Sequence, residues 1–153
     1  MDNKIRGFEV VPNKHREHPY ATIITPERAT QNAAGYDIYS PVNVTVPAHG
    51  TAKIFTDVCA YMQPNEVLMI YTRSSYGKIP MRLCNGTGVL DADYYGNISN
   101  GGNMIVMLQN MSDNDVDISA GDRIAQCMFI NYLVADNGNT DAIRTGGVGS
   151  TGV

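Results

Sequence analysis

From Gly35 onward, apolar residues come in short runs of period two, and turn formers stop each run. Val42, Val44 and Val46 alternate with polar residues and end at Pro47. That alternation places one set of side chains on one face of a pleated strand and does not build the stripe of an amphipathic helix. Strands are expected at Thr51 to Phe55, Val58 to Met62, Val67 to Thr72 and Met104 to Leu108, with a short edge piece at Val116 and Ile118. Ile124 to Val134 is the longest apolar stretch and is expected to run through the core. Before Gly35, Ile5, Phe8 and Val10 suggest a first strand within Lys4 to Val11, and Pro12 to Tyr20 reads as an exposed loop. Thr25 to Ala34 is expected to be a short helix, with Thr25 as N-cap, Pro26 at the first helical position and Gly35 as its stop. The 15 glycines and the absence of tryptophan fit many strands joined by tight turns.

The expected class is therefore all-β. With 153 residues, no internal repeat and no linker, the simplest account is one domain spanning 1–153. Its tail differs from the rest: residues 136–153 have almost no apolar pattern and end in TGGVGSTGV, the composition of a flexible C-terminal arm.

Charge and cysteine usage remove several functions. The formal net charge is −4 and the basic residues are scattered, which argues against binding a nucleic-acid polymer through a basic face. A small anionic ligand needs only local positive charge and stays allowed. The 3 cysteines, Cys59, Cys84 and Cys127, form no C-x-x-C pair and are expected to be reduced thiols of a cytoplasmic protein, with Cys127 buried. His15, His18 and His49 sit outside any metal-ligand spacing and are expected at the surface. No apolar run has signal-peptide or membrane-spanning length, so a soluble, unsecreted protein is expected.

Four segments could carry chemistry, each with a plain structural alternative. In the terminal GGVGSTG, glycines let backbone N–H groups converge on an anion, Ser150 and Thr151 add hydroxyls, and Arg144 stands upstream with a phosphate-matching fork. It is no P-loop, since no Gly-Lys-Ser/Thr follows, and a disordered end is the alternative. Thr72-Arg73-Ser74-Ser75 is either a phosphate-binding corner or a solvated turn. Asn85 to Gly96 carries Asp91 and Asp93, which share a face if the segment is a strand, or else it is a loop of turn formers. Gly121 to Gln126 is a turn feeding a core strand, in which Asp122 and Arg123 could be a surface ion pair.

Each segment is modest alone, but their order is specific. AGYD at 34–37, RSS at 73–75, GVLDADYYG at 88–96, GDRIAQ at 121–126 and GGVGSTG at 146–152 resemble the five ordered motifs of the trimeric dUTPase family. The resemblance covers the chain from about Ala33 and points to a branch of Gram-positive bacteria and their phages. It implies a jelly-roll-like β-clip fold and a homotrimer in which each active site lies between subunits and the C-terminal arm closes over a site built largely by its neighbours. It implies hydrolysis of dUTP to dUMP and pyrophosphate, with Mg2+ as cofactor. Mapped onto matching positions, Asp91 activates the attacking water, assisted by Gln126. Tyr94 packs on the deoxyribose and leaves no room for a 2′-hydroxyl. Asn85 and the backbone at Gly88 line the nucleoside pocket. Arg73, Ser74 and Ser75 hold phosphates, and Asp37 hydrogen-bonds waters of a magnesium ion held mainly by the triphosphate. Arg144, Val148, Gly149, Ser150 and Thr151 belong to the closing arm.

The chain departs from the family pattern in three places. Val148 stands where the family places an aromatic ring over the uracil, and the arm is one residue shorter between Arg144 and Val148. The loop from Asn97 to Asn103 is longer than in most relatives, and it is either a cap on the nucleoside pocket or an extended turn. A related fold deaminates dCTP, but that chemistry needs a glutamate, and no glutamate follows Asp91. A regulatory role through a protein partner, as in some phage relatives, would be additional to catalysis.

Overall fold

A computed structural model of the chain describes residues 3–138 and 140–149. The described residues hold eleven strands and three short 3₁₀ turns, with no α-helix. The strands are β1 Gly7–Val10, β2 Tyr36–Tyr39, β3 Val44–Val46, β4 Thr51–Phe55, β5 Val58–Tyr61, β6 Glu66–Tyr71, β7 Met81–Leu83, β8 Gly88–Asp91, β9 Ile105–Asn110, β10 Val116–Ile118 and β11 Arg123–Asn131. They pair antiparallel into a four-stranded sheet ordered β2-β11-β6-β8, a three-stranded sheet β4-β9-β7, and the pairs β1-β5 and β10-β3. The result is the expected jelly-roll-like architecture.

The core lies between the two larger sheets. Ile38, Leu68, Ile70, Ile124 and Cys127 of the four-stranded sheet join Ile54, Leu83, Val106 and Leu108 of the three-stranded sheet in one cluster, each at most 3% exposed. Burying a side chain of this size stabilises by about 1.5–3 kcal/mol, so this cluster holds the sheets face to face. Burial also disposes of two thiols. Desolvation pushes Cys59 up to about 11 and raises Cys127 further, which leaves both protonated and unreactive. Cys84 is exposed, and all three are free.

Three expectations fail. No helix forms between Thr25 and Ala34. Instead Glu27 bridges to Asp37, with Asp37 N–H donating to the Glu27 carbonyl at 2.8 Å. A helix of two turns is marginal alone, and the open edge of β2 takes the same backbone groups. The last strand stops at Asn131, where its partner β6 begins at Glu66, and Leu133 is 98% exposed. His15 and His18 are half-buried in the N-terminal loop, while His49 is exposed and meets Asp113 at 2.7 Å.

That N-terminal loop is stitched to the sandwich by one carboxylate. Asp57, fully buried in the turn between β4 and β5, accepts the N–H groups of Glu17 and His18 at 2.9 and 2.8 Å and the Asn103 amide at 2.8 Å. Three donors satisfy a buried charge that would otherwise be costly.

Candidate active site

The nucleoside-side residues surround one cleft of about 230 Å³, lined by Leu83, Asn85, Gly88, Asp91, Tyr94 and the arm residues Arg144 and Gly147 to Gly149. Its floor is shaped by Gly88, which pairs with Ile70 in the register of β6 and β8. A Cβ on Gly88 would meet the Ile70 Cβ at 3.0 Å, so any side chain there would displace the floor. Asn85 sits exposed in the turn between β7 and β8, which Gly86 closes with φ of 72°.

Asp91 ends β8, and the chain then turns through the 3₁₀ residues Ala92–Tyr94. Asp93 therefore does not continue the strand, yet both carboxylates converge on the same partner. Arg144 Nη2 donates to Asp91 at 2.5 Å and its Nε donates to Asp93 at 2.7 Å. The guanidinium also lies over the Tyr94 ring, 5.9 Å from the centroid. Arg144 is thus well covered, while the side chains of Asp91 and Asp93 stay 55% and 60% exposed, open to a ligand. Tyr94 is 7% exposed, and burial raises its phenol pKa against the opposing pull of the Asn100 N–H and Arg144. Val148 lines the cleft and is 66% exposed. Ser150 and Thr151 lie outside the described residues.

The phosphate-side residues form a second group. Asp37 on β2 faces two guanidinium groups, Arg73 Nε at 3.6 Å and Arg123 Nη1 at 3.3 Å. Arg73 also donates to the Arg123 carbonyl at 3.1 Å, and Ser74 and Ser75 follow it, exposed in a 3₁₀ turn. Gln126 pairs with Asp37 across β11 and β2, and its amide donates to the Thr72 carbonyl at 3.1 Å. Gly35 makes room for that amide, since a Cβ there would meet Gln126 Oε1 at 3.2 Å. Gly35 was expected to stop a helix; it gives clearance to a site residue instead. An Asp122–Arg123 ion pair, one of the readings open for this turn, does not form. Asp122 instead caps the Ser119 N–H at 2.8 Å, and Arg123 turns to Asp37. Only the place of Arg123 inside GDRIAQ marked it.

Among the described residues, no three His, Cys, Asp or Glu side chains converge on a point that could hold a metal ion. One carboxylate between two arginines can accept hydrogen bonds from the water shell of a metal, but it supplies too few oxygens to hold the ion alone. A magnesium ion carried by triphosphate oxygens fits that donor set.

The two groups are well separated within the chain. Asp91 is opposite Val67 on β6, whereas Gln126 is opposite Tyr71. Four residues along β6 and two strand spacings across the sheet put their backbones about 16 Å apart.

Comparison with known proteins agrees with this architecture. The dUTPase family model matches residues 21–152. The deoxyuridine 5'-triphosphate nucleotidohydrolase of Lactococcus lactis is 43% identical over 152 residues, covering 97% of this chain and 99% of that protein. The crystal structure of dUTPase from Streptococcus mutans superposes with a TM-score of 0.75 at 35% identity, covering 86% of this chain and 99% of that one. A mutant dUTPase from phage phi11 of S. aureus, described as coordinating a structural Mg(II) ion, shares the fold at 19% identity and a TM-score of 0.69, over 91% of this chain and 98% of that one. With motif order, fold and sequence in agreement, the chain belongs to the dUTPase family.

Proposed function

We propose that the protein hydrolyses dUTP to dUMP and pyrophosphate in a homotrimer. This limits uracil incorporation into DNA and supplies dUMP for thymidylate synthesis. The observation that carries the reading is the preformed cleft in which Asp91 stands beside the buried Tyr94 ring, above the side-chain-free floor at Gly88. The deoxynucleoside enters this cleft with its sugar against Tyr94. Asn85 and the backbone at Gly88 meet the base, and Val148 stands beside it. Asp91 accepts a proton from the attacking water. The water oxygen bonds to the α-phosphorus, the bond from that phosphorus to the bridging oxygen breaks, and pyrophosphate leaves with the electron pair. Gln126 orients the water, while Arg73, Ser74 and Ser75 hold phosphate oxygens. Asp37 would face a magnesium ion brought in by the triphosphate, which would offset part of the phosphate charge.

Distance supports an assembly of copies, and the family resemblance makes that assembly a trimer. Two groups that act on one water must lie within hydrogen-bond reach of it, yet Asp91 and Gln126 are about 16 Å apart in one chain. A second copy that brings its Gln126 to this Asp91 closes the gap. The single domain carries residues 136–153 as its closing arm. The arm covers the cleft of its own chain here, and exchange between equivalent seats in a symmetric assembly preserves every contact. Free buried thiols suit a reducing cytoplasm. No helix among the described residues is long and apolar enough to cross a membrane.

The test is pyrophosphate release with magnesium, offering dUTP, dCTP, dTTP and UTP in parallel. Release from dUTP alone is expected. Ammonia from dCTP, or no release from any of the four, would overturn the reading.

A further inference from the structure

Tyr94 ends a 3₁₀ turn, outside any strand, so sheet hydrogen bonds do not hold its ring. The loop from Asn97 to Asn103 does. The Tyr94 hydroxyl donates to the Asn103 carbonyl at 2.9 Å and accepts from Asn100 Nδ2 at 2.8 Å. Asn97 Nδ2 donates to the Tyr94 carbonyl at 2.9 Å and to Asn100 Oδ1 at 2.7 Å. Asn97 Oδ1 in turn accepts the N–H groups of Ser99 and Asn100, both at 3.1 Å. The frame is anchored below, where Asn103 exchanges hydrogen bonds with buried Asp57 at 2.9 and 2.8 Å. Gly102 presses on the same turn: its φ is 84°, and a Cβ there would meet the Tyr94 carbonyl oxygen at 2.9 Å. A polar network with its members paired in this way is rigid, and the ring it grips has one height above the cleft.

Asn100 also faces the arm. A Cβ on Gly147 would meet Asn100 Nδ2 and Ser99 Oγ, both at 3.1 Å, so the arm backbone lies flush on this loop.

We propose that Asn100 is a positioning residue for sugar discrimination: its amide fixes the Tyr94 hydroxyl, and so holds the ring where a ribose 2′-hydroxyl would collide, while its outer side seats the arm at Gly147. The inference rests on Tyr94 being the ring that reads the sugar. It gives the Asn97–Asn103 loop a role between the two left open, because the turn lies behind the cleft lining and backs the Tyr94 wall through hydrogen bonds. Without the amide, the hydroxyl loses one of its two partners and the ring can tilt away from the sugar.

The test is the ratio of kcat/KM for dUTP to that for UTP, measured on the full chain together with the melting temperature. Asn100→Ala is expected to lower the ratio about tenfold, chiefly by raising kcat/KM for UTP. Tyr94→Phe keeps the ring, drops the bond and is expected to lower the ratio similarly. Adding it to Asn100→Ala is expected to change the ratio little further. A purely structural role would lower the melting temperature and scale both substrates alike, and that result overturns the inference. If Tyr94→Ala collapses the ratio while Asn100→Ala leaves it within about twofold, the positioning role is wrong and the sugar-reading role of Tyr94 stands. If Tyr94→Ala leaves the ratio intact, both fall. Should Asn100→Ala fail to fold, Tyr94→Phe alone decides: a lowered ratio supports the inference and an unchanged one overturns it.

Discussion

The two halves of the candidate site are built in opposite ways. The nucleoside half is finished within one chain: a glycine floor at Gly88, a ring wall at Tyr94 gripped by a paired asparagine frame, and an arm that already lies over the cleft. The phosphate half is unfinished. Arg73 and Arg123 spend their charge on Asp37, Ser74 and Ser75 face solvent, and Gln126 is tied to a backbone carbonyl. Discrimination between similar bases and sugars depends on fixed shape, which one chain can supply. Stabilising a triphosphate needs several charges placed on it at once, and groups at the two ends of one sheet need a second copy to meet.

The largest effect is expected at Asp91. Asp91→Asn should lower kcat for dUTP by at least about a hundredfold, because the carboxylate is the base proposed for the attacking water. Gln126→Ala should lower kcat about ten- to a hundredfold. Combining the two sharpens the comparison. Mixed trimers co-assembled from equal amounts of the two inactive chains should recover about a quarter of wild-type activity, the chance that an intact Asp91 meets an intact Gln126 across an interface. No recovery in the mixture would place both groups in one chain and break the argument from distance.

The sequence made some of this legible and hid the rest for physical reasons. Strands with strict alternation, such as β3 and β4, or a continuous apolar run, such as β6, could be read directly, since burial on one or both faces dictates their pattern. The helix expected at 25–34 failed because capping residues signal where a helix can begin, not whether an open strand edge will take the backbone instead. β7 and β8 could not be read because Met81–Leu83 and Gly88–Asp91 stand among turn formers. Ordered motifs singled out Asp91, Tyr94 and Gln126 as candidates. They could not find Asn100, since an asparagine among glycines reads as a turn former until its amide is seen on the Tyr94 hydroxyl. They also gave no hint that Arg144 would fork across Asp91 and Asp93.

Val148 separates the two halves by a smaller margin. It covers the cleft without a ring to stack on the base, so Val148→Phe should improve kcat/KM for dUTP about two- to tenfold, through KM rather than kcat. Steady-state kinetics decide this. A rise in kcat instead would mean that the arm limits chemistry at the phosphates and not closure over the base.

The smallest effect concerns how β6 holds its nucleoside end. Glu66 opens that strand, next to Val67, the partner of Asp91. Arg6 reaches one Glu66 oxygen through Nε at 2.8 Å and Nη2 at 2.5 Å, and the Gln63 N–H donates to the other at 3.0 Å. The Arg6 hydrogen bond, above all, holds the Glu66 carboxyl below its ordinary 4.5. A depressed carboxyl contributes its full stability above the pKa of the unfolded chain and loses it as pH falls through the folded value. Glu66 is 5% exposed but Arg6 is 48% exposed, so solvent screens the pair. Glu66→Gln should therefore cost about 1–2 kcal/mol at pH 7, read from urea unfolding. The gap between variant and parent should narrow as pH drops below about 4.5, where Glu66 of the unfolded chain protonates first, and close as pH passes the lower folded value. A gap constant across that window would mean that shape and hydrogen bonding, not charge, pin this end of β6. A dUTP-to-UTP ratio that moved with Glu66→Gln would show that the cleft depends on strand placement as well as on the asparagine frame, and the nucleoside half would be less self-contained than the comparison makes it.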